Sequence, residues 1–362
     1  MHKPDQIKQF ILENLTQHQK DIIKAAIRKF GLSRQAILKH MNTLIRDDQV
    51  VAYGKTRDRF YELKPRVNFS KSIDISNGFD PKSILNEQIF PNLQTLPQNV
   101  REISEFAFGA LFHNIHDHAT ATRLNYKIYI SHTDVHIIVS DNGIGLFQGI
   151  ANAFHFNEIQ TAAVEIAKGH VTSDPEHHAG DDLMVVIHLF DQVEISSSGV
   201  SLKFYNDQND WVLGQSKQQS GTRIHLRIRT KSRRTCLDVF TNIFEKFAKF
   251  THIPVKLAQS KGGQLNSPKQ ADNLLHNIKK LNRIEFDFKN IDLVGPAFAD
   301  EFIWSEAFQG LQPASIIVCV DEIAQVTCQL LMVVIMEALD GRFLDRPVHS
   351  LDLAIGPRML RF

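Results

Sequence analysis

The chain has 362 residues, 43% of them hydrophobic and 22% charged, enough apolar material for two or three separate cores and too much for a disordered polyelectrolyte. A net charge of +1 excludes a uniformly basic or acidic protein but conceals an asymmetry. Residues 1–64 carry 13 Lys+Arg against 7 Asp+Glu, a net of +6, and the remainder carries 28 against 33, a net of −5, so a polyanionic partner is expected for the N-terminal part alone.

Cys236, Cys319 and Cys328 are too few and too scattered for a disulfide framework or a zinc site. The opening MHKPDQIKQF lacks the apolar core of a signal peptide. The most apolar stretch, Leu330 to Met336, falls far short of the ~20 residues that span a bilayer. The expectation is a cytoplasmic protein without a membrane segment.

In chain order, Ile7, Ile11, Leu12 and Leu15 form one helical stripe and Ile22, Ile23, Ala26, Ile27 and Phe30 a second. Gly31 is suited to end that helix in the left-handed region. Ser33 is suited to cap a third helix carrying Ile37, Met41, Leu44 and Ile45. Strands at 50–53 and 59–63, joined by Gly54-Lys55-Thr56-Arg57-Asp58, complete a module over residues 1–64. Residues 65–90, rich in Pro, Asn and Ser, are expected to be a linker.

Residues 91–230 alternate helices and strands. A helix is expected over 100–118, strands over 126–131 and 135–140, helices near 157–168 and 181–190, and strands near 193–197, 200–205 and 222–229. This is the pattern of a mixed sheet with helices on one face. Residues 231–273 are expected as a connector that includes the flexible polar stretch SKGGQLNSPKQADN. A last domain, 274–362, has strands near 283–288 and 316–320 and helices near 296–308 and 323–339. The predicted class is α+β and multidomain.

The first module has the order of a winged helix-turn-helix. Its third helix offers Arg34, Gln35, Lys39 and Asn42, and Arg and Gln side chains make bidentate contacts with base edges in the major groove. The wing offers Lys55, Arg57 and Arg59 to phosphates. Over FGLSRQAILKHMNTLIRDDQVVAYGKTRDRFYEL the sequence resembles the winged helix of bacterial transcriptional regulators. The DNA-contacting set is then Ser33, Arg34, Gln35, Lys39, Lys55, Arg57 and Arg59. Most such regulators act as dimers on repeated half-sites, which makes a homodimer on double-stranded DNA the expectation. The alternative is a winged helix used for protein contacts or dimerisation.

In the second module Asp141-Asn142-Gly143-Ile144-Gly145 follows an apolar strand. A carboxylate there can accept a hydrogen bond from the exocyclic amine of adenine, while the glycines let the backbone turn tightly beside the base. Asn114, on the preceding helix, is placed to ligate Mg²⁺ held by phosphates. The polar stretch KGHVTSDPEHHAGDD, residues 168–182, leads into a helix start suited to phosphates. Ser220-Gly221-Thr222 opens the last strand, where a hydroxyl can reach the adenine site.

LPQNVREISEFAFGALFHNIHDHA, DNGIG, KGHVTSDPEHHAG and SGT, in that order, resemble the GHKL superfamily of histidine-kinase-like ATPases. They resemble most the branch fused to a STAS-like domain. The resemblance implies an α/β sandwich, ATP or ADP with Mg²⁺, and a pocket of Asn114, Asp141, Gly143, Gly145, Gly180 and Thr222. Asn114 would be the Mg²⁺ contact. Two departures bear on mechanism. The family's general-base glutamate, four residues before the asparagine, is here Ala110, which cannot take a proton. The family's Gly-Glu-Gly is here Gly180-Asp181-Asp182, which sets a negative charge beside a polyphosphate.

RIEFDFKNIDLVGPAFADEFIW, residues 283–304, resembles the STAS-like domain. In that resemblance a kinase phosphorylates a hydroxyl at the helix start, and here the turn reads Val294-Gly295-Pro296. The expectation is a DNA-binding transcriptional regulator with a degenerate, non-hydrolysing nucleotide sensor. No catalytic residue is assigned, and the STAS-like domain serves as a contact for a protein partner. Loss of ATP altogether stays open. So does the alternative of an active Mg²⁺-dependent ATPase or protein kinase recruited to DNA or to a protein. The triplet His113, His116 and His118 puts only two rings on one helix face, too few for zinc.

Overall fold

A computed structural model describes residues 3–169, 181–249, 251–259, 264–276, 278, 284–289, 291, 293–305 and 316–319. The described chain is mixed helix and strand and forms two compact units. One is drawn from Met1–Ile144, Val186–Ile195 and Gly221–Cys236, the other from Gly145–Val185, Ser196–Ser220 and Leu237–Phe362.

The first unit opens with α1 (Lys3–Asn14), α2 (Ile22–Phe30) and α3 (Arg34–Arg46). The strands β1 (Val50–Tyr53) and β2 (Phe60–Leu63) follow as an antiparallel pair. The apolar stripes meet in one core: Ile7, Ile11, Leu15, Ile22, Ile23, Ala26, Ile37, Met41 and Leu44 are buried with Val50 and Tyr61. Gly31 takes φ +65° and its N–H donates to the Ile27 carbonyl at 2.9 Å, closing α2. The Ser33 hydroxyl accepts from the Ala36 N–H at 3.2 Å and starts α3.

Residues 65–90, expected as a linker, instead carry structure. β3 (Val67–Asp74) pairs antiparallel with β4 (Arg123–Ile130), and only Lys64-Pro65-Arg66 separates it from β2. The Lys64 N–H donates to the Gln49 carbonyl at 2.9 Å and the Arg66 N–H to the Ile130 carbonyl at 2.6 Å. The β1–β2 hairpin therefore runs directly into the sheet. Asp80 accepts from the N–H groups of Lys82 and Ser83 to start α4 (Pro81–Ile84). A π-helical turn over Leu85–Ile89 leads to α5 (Phe90–Leu93).

α6 (Gln98–His118) covers one face of the sheet formed by β3, β4, β5 (Asp134–Asp141), β9 (Thr222–Arg229) and β6 (Gln192–Ser197), in that order. The pairings β3–β4, β4–β5 and β5–β9 are antiparallel. On β5, Val135, Ile137, Val139 and Asp141 are buried while His136, Ile138 and Ser140 are half-buried. This is the period-two alternation of a sheet covered on one face. Phe108, Phe112 and Tyr126 interlock between α6 and β4, with ring centroids 5.6–5.7 Å apart. The end of α9 (Asp181–Leu189) also belongs to this unit. The Asn99 amide donates to the carbonyls of Ser232 and Arg234, and Arg234 pairs with Asp191 at 2.6 Å.

The second unit contains α7 (Leu146–Phe154), α8 (Ile159–Lys168), the hairpin β7 (Val200–Tyr205) and β8 (Asp210–Gln215), and α10 (Cys236–Lys249). α7 and β8 are additions to the elements expected from the sequence. A parallel sheet follows, ordered β10 (Thr251–Pro254), β12 (Ile284–Asp287), β14 (Ile316–Cys319). The residues expected as connector therefore supply one of its strands. The stretch expected to be a flexible polar linker holds β11 (Gln264–Leu265) and the start of α11 (Pro268–Leu275). A capping box between Ser267 and Gln270 and proline at the first helical position stabilise that start. β11 pairs with β13 (Leu293–Val294), and α12 (Pro296–Trp304) places Phe302 against Phe286 and stacks Phe298 on Phe302. The helix expected near 323–339 lies outside the described residues. Among the described residues no helix is long and apolar enough to cross a membrane.

Candidate functional site

The end of β5 lies beside the start of β9, and together they shape the turn around Asp141. The Asp141 side chain is 5% exposed. One carboxylate oxygen accepts from the Gly143 N–H at 2.8 Å and the other from the Thr222 N–H at 3.2 Å. Burial raises its pKa above the usual carboxylate value, and the two N–H donors oppose that rise. An ionised carboxylate oxygen accepts more than one hydrogen bond, so these contacts fix the group without exhausting it. A further donor such as an exocyclic amine is the partner this chemistry suits.

Two glycines are imposed by close backbone approach. A Cβ on Gly143 would stand 1.9 Å from the Ala119 carbonyl oxygen, at the C-terminus of α6. Gly221 has φ +66°, and a Cβ there would stand 2.1 Å from the Asp141 carbonyl oxygen. The Gly221 N–H donates to the Gly143 carbonyl at 2.8 Å and the Ile144 N–H to the Ala119 carbonyl at 3.0 Å. The turn is thus tied both to the start of β9 and to the end of α6.

Asn142 escaped the sequence reasoning. Its side-chain oxygen accepts from the N–H groups of Thr122 and Arg123, at 3.0 and 2.8 Å, and its amide donates to the Thr122 hydroxyl. It therefore clamps the segment between α6 and β4. The local signal was a polar side chain able to bond neighbouring backbone, placed directly after a strand.

Of the expected nucleotide residues, Asp141, Gly143 and Thr222 are joined by these hydrogen bonds. Asn114 is half-buried on α6, and Ala110, one turn earlier, is 8% exposed. Gly145 has φ +87° and caps the start of α7 in the second unit. Gly180 and most of the 168–182 stretch, including His177 and His178, lie outside the described residues. His113 bonds the Gly109 carbonyl of its own helix at 2.7 Å, and His116 bonds Asp117 at 2.7 Å.

Arg34, Gln35 and Lys39 are exposed on α3 together with Asn42 and Arg46. Residues 35, 39, 42 and 46 recur at helical spacing and share one face. Ser33 is engaged as the helix cap. Lys55 and Arg59 are exposed around the turn between β1 and β2, with the Arg59 guanidinium 5.4 Å from the Tyr61 ring centroid. Arg57 sits in the single 3₁₀ turn Thr56–Asp58, and its side chain lies outside the described set.

No family model matches the chain, and no curated protein aligns with it.

Proposed function

We propose that the chain is a DNA-binding transcriptional regulator in which a GHKL-like sheet domain binds an adenine nucleotide without hydrolysing it. The observation that carries this reading is the Asp141 carboxylate, buried yet held by two backbone N–H groups at a glycine-ringed turn. Burying a carboxylate costs free energy unless its acceptors are used. A turn that orients one without neutralising it suits a ligand bringing further donors. Asp141 would read the adenine amine, Gly143, Gly145 and Gly180 would give the backbone access, and Thr222 would line the base. Asn114 would hold Mg²⁺ on the phosphates. A nucleotide supplies two or three phosphates as a switchable anionic ligand, and Ala110 provides no base for activating water.

The exposed face of α3 would enter the major groove, and the wing would meet phosphates through Lys55, Arg57 and Arg59. The three-residue junction between β2 and β3 leaves little slack between wing and sheet, a short path by which ligand binding would bias the wing. The STAS-like part would take a protein partner, and the regulator would act as a homodimer in the cytoplasm.

Thermal melts of the full chain with ATP, ADP and Mg²⁺, run in parallel on Asp141→Ala, test the nucleotide half. Nucleotide at 100-fold above Kd adds roughly 2.7 kcal/mol, so the wild type should melt later and the variant should not. No stabilisation of either protein would remove the nucleotide from the proposal, and equal stabilisation of both would remove Asp141 from its site.

A further inference from the structure

Strand alternation places a second polar site on the opposite face of the same strands. Ser140 and Arg223 are the neighbours of Asp141 and Thr222, and they point the other way. There, a groove of about 430 Å³ is lined by Ser70, Ser72, Asn125, Lys127, Ser140 and Arg223, with Ile138 in its floor. Lys71 and Tyr126 also border it, but the ammonium of Lys71 and the hydroxyl of Tyr126 are both bonded to Gln88, at 2.8 and 2.5 Å.

The register shows how the lining is laid out. Ser72 pairs with Asn125, Asn125 with Ser140, and Ser140 with Arg223, a polar row across four strands. The next row runs Ser70, Lys127, Ile138, His225. Neighbouring strands lie about 4.8 Å apart, so the rows present hydroxyl, amide and cationic donors at intervals that an oligophosphate can follow. The groove contains no carboxylate. Elsewhere on this face Arg227 pairs with Asp134 at 2.8 Å. Among the described residues neither Lys127 nor Arg223 has a carboxylate partner. Asparagine is depleted in strands, and Asn125 stands within β4 between Ser72 and Ser140, as expected where a surface serves a ligand.

We propose that this groove binds a small phosphate-bearing anion through Lys127, Arg223, Asn125 and the hydroxyls of Ser70, Ser72 and Ser140. Arginine and lysine make charge-assisted hydrogen bonds to phosphate oxygens, and the volume falls in the range of small-molecule sites. The site is separate from the Asp141 turn, because adjacent residues of β5 and β9 serve the two faces.

The test is calorimetric titration of the full chain with inorganic pyrophosphate in magnesium-free buffer. Saturable binding is expected, weakened roughly tenfold by Arg223→Ala and by Lys127→Ala, the loss of one charge-assisted contact. Lys127→Arg keeps the charge in case truncation harms folding, and it should retain binding. No saturable binding, or binding indifferent to both alanine variants, overturns the proposal. Duplex DNA is the second arm. If pyrophosphate fails to bind while both alanine variants lower the salt dependence of DNA binding, the phosphates belong to the DNA backbone and the small-ligand site is refuted.

Discussion

The Asp141 carboxylate accepts a hydrogen bond from the Thr222 N–H at 3.2 Å, across 81 positions of sequence. That contact pins the end of β5 to the start of β9, and the Gly221 N–H, bonded to the Gly143 carbonyl at 2.8 Å, doubles it. The turn proposed to read a base is therefore built by two distant segments. Its geometry depends on residues that never touch the ligand.

Gly221→Ala tests this construction. A side chain in the left-handed region costs roughly 1–2 kcal/mol, and here the Cβ also meets the Asp141 carbonyl oxygen at 2.1 Å. Gly78 has φ +81°, but a Cβ there would have no neighbour within 4 Å. Urea melts should show Gly221→Ala losing clearly more stability than Gly78→Ala. Equal losses would mean that the approach to Asp141 is slack.

Much of this was legible in the sequence, for a physical reason. The stripes of the first three helices serve one small core, so periodicity and capping agree: Gly31, lacking a Cβ, closes α2 in the left-handed region and the Ser33 hydroxyl caps α3. DNGIG announces a turn beside a carboxylate. β3 was hidden because VNFSKSID exposes Asn68, Ser70, Ser72 and Asp74 on one face, of which Ser70 and Ser72 line the polar groove, and this composition mimics a linker. α11 was hidden by its polar composition, although Ser267-Pro268-Lys269-Gln270 carries a capping box, a local helix-start signal. Asn142 and the groove depend on strand register, which periodicity does not supply.

Lys168 and Glu165 are buried together near the end of α8, 3% and 4% exposed. The Lys168 ammonium donates to Glu165 and, at 3.0 Å, to the His276 carbonyl beyond α11. Burial lowers its pKa and Glu165 opposes that. Lys168→Met strands a buried carboxylate and should cost about 3–5 kcal/mol. Lys168→Met combined with Glu165→Leu should recover much of the loss in chemical denaturation. No recovery would mean that the carbonyl contacts, not the ion pair, carry the stability.

His136 stacks on His225, with Nδ1 3.0 Å from Nε2, and burial, aided by His225, lowers its pKa from 6.5 to about 4. In this window the unfolded chain binds the proton and the folded chain does not. Its contribution is therefore present above the unfolded value and lost as pH falls from about 6.5 toward 4. The ceiling is about 3 kcal/mol at 1.36 kcal/mol per pH unit. Stability measured at pH 7.5 and pH 5 should fall less in His136→Leu than in the wild type. Parallel slopes would assign the acid sensitivity to other groups.

Arg34 and Lys39 are exposed on α3. The double variant Arg34→Ala/Lys39→Ala should weaken duplex DNA binding and flatten its salt dependence by up to ~2 log units per log unit of salt. Fluorescence anisotropy over a salt series reads both. Unchanged binding would move the contact surface away from α3.

Base discrimination tests the central claim most directly. A carboxylate that accepts from the adenine amine is repelled by the oxygen that guanine carries at the same position. Calorimetric titration of the full chain with Mg²⁺ and either ATP or GTP, with released inorganic phosphate assayed in the same samples, should give saturable ATP binding, GTP binding weaker by roughly tenfold or more, and no phosphate release. Equal affinity for the two nucleotides, no binding of either, or steady release of phosphate would contradict it.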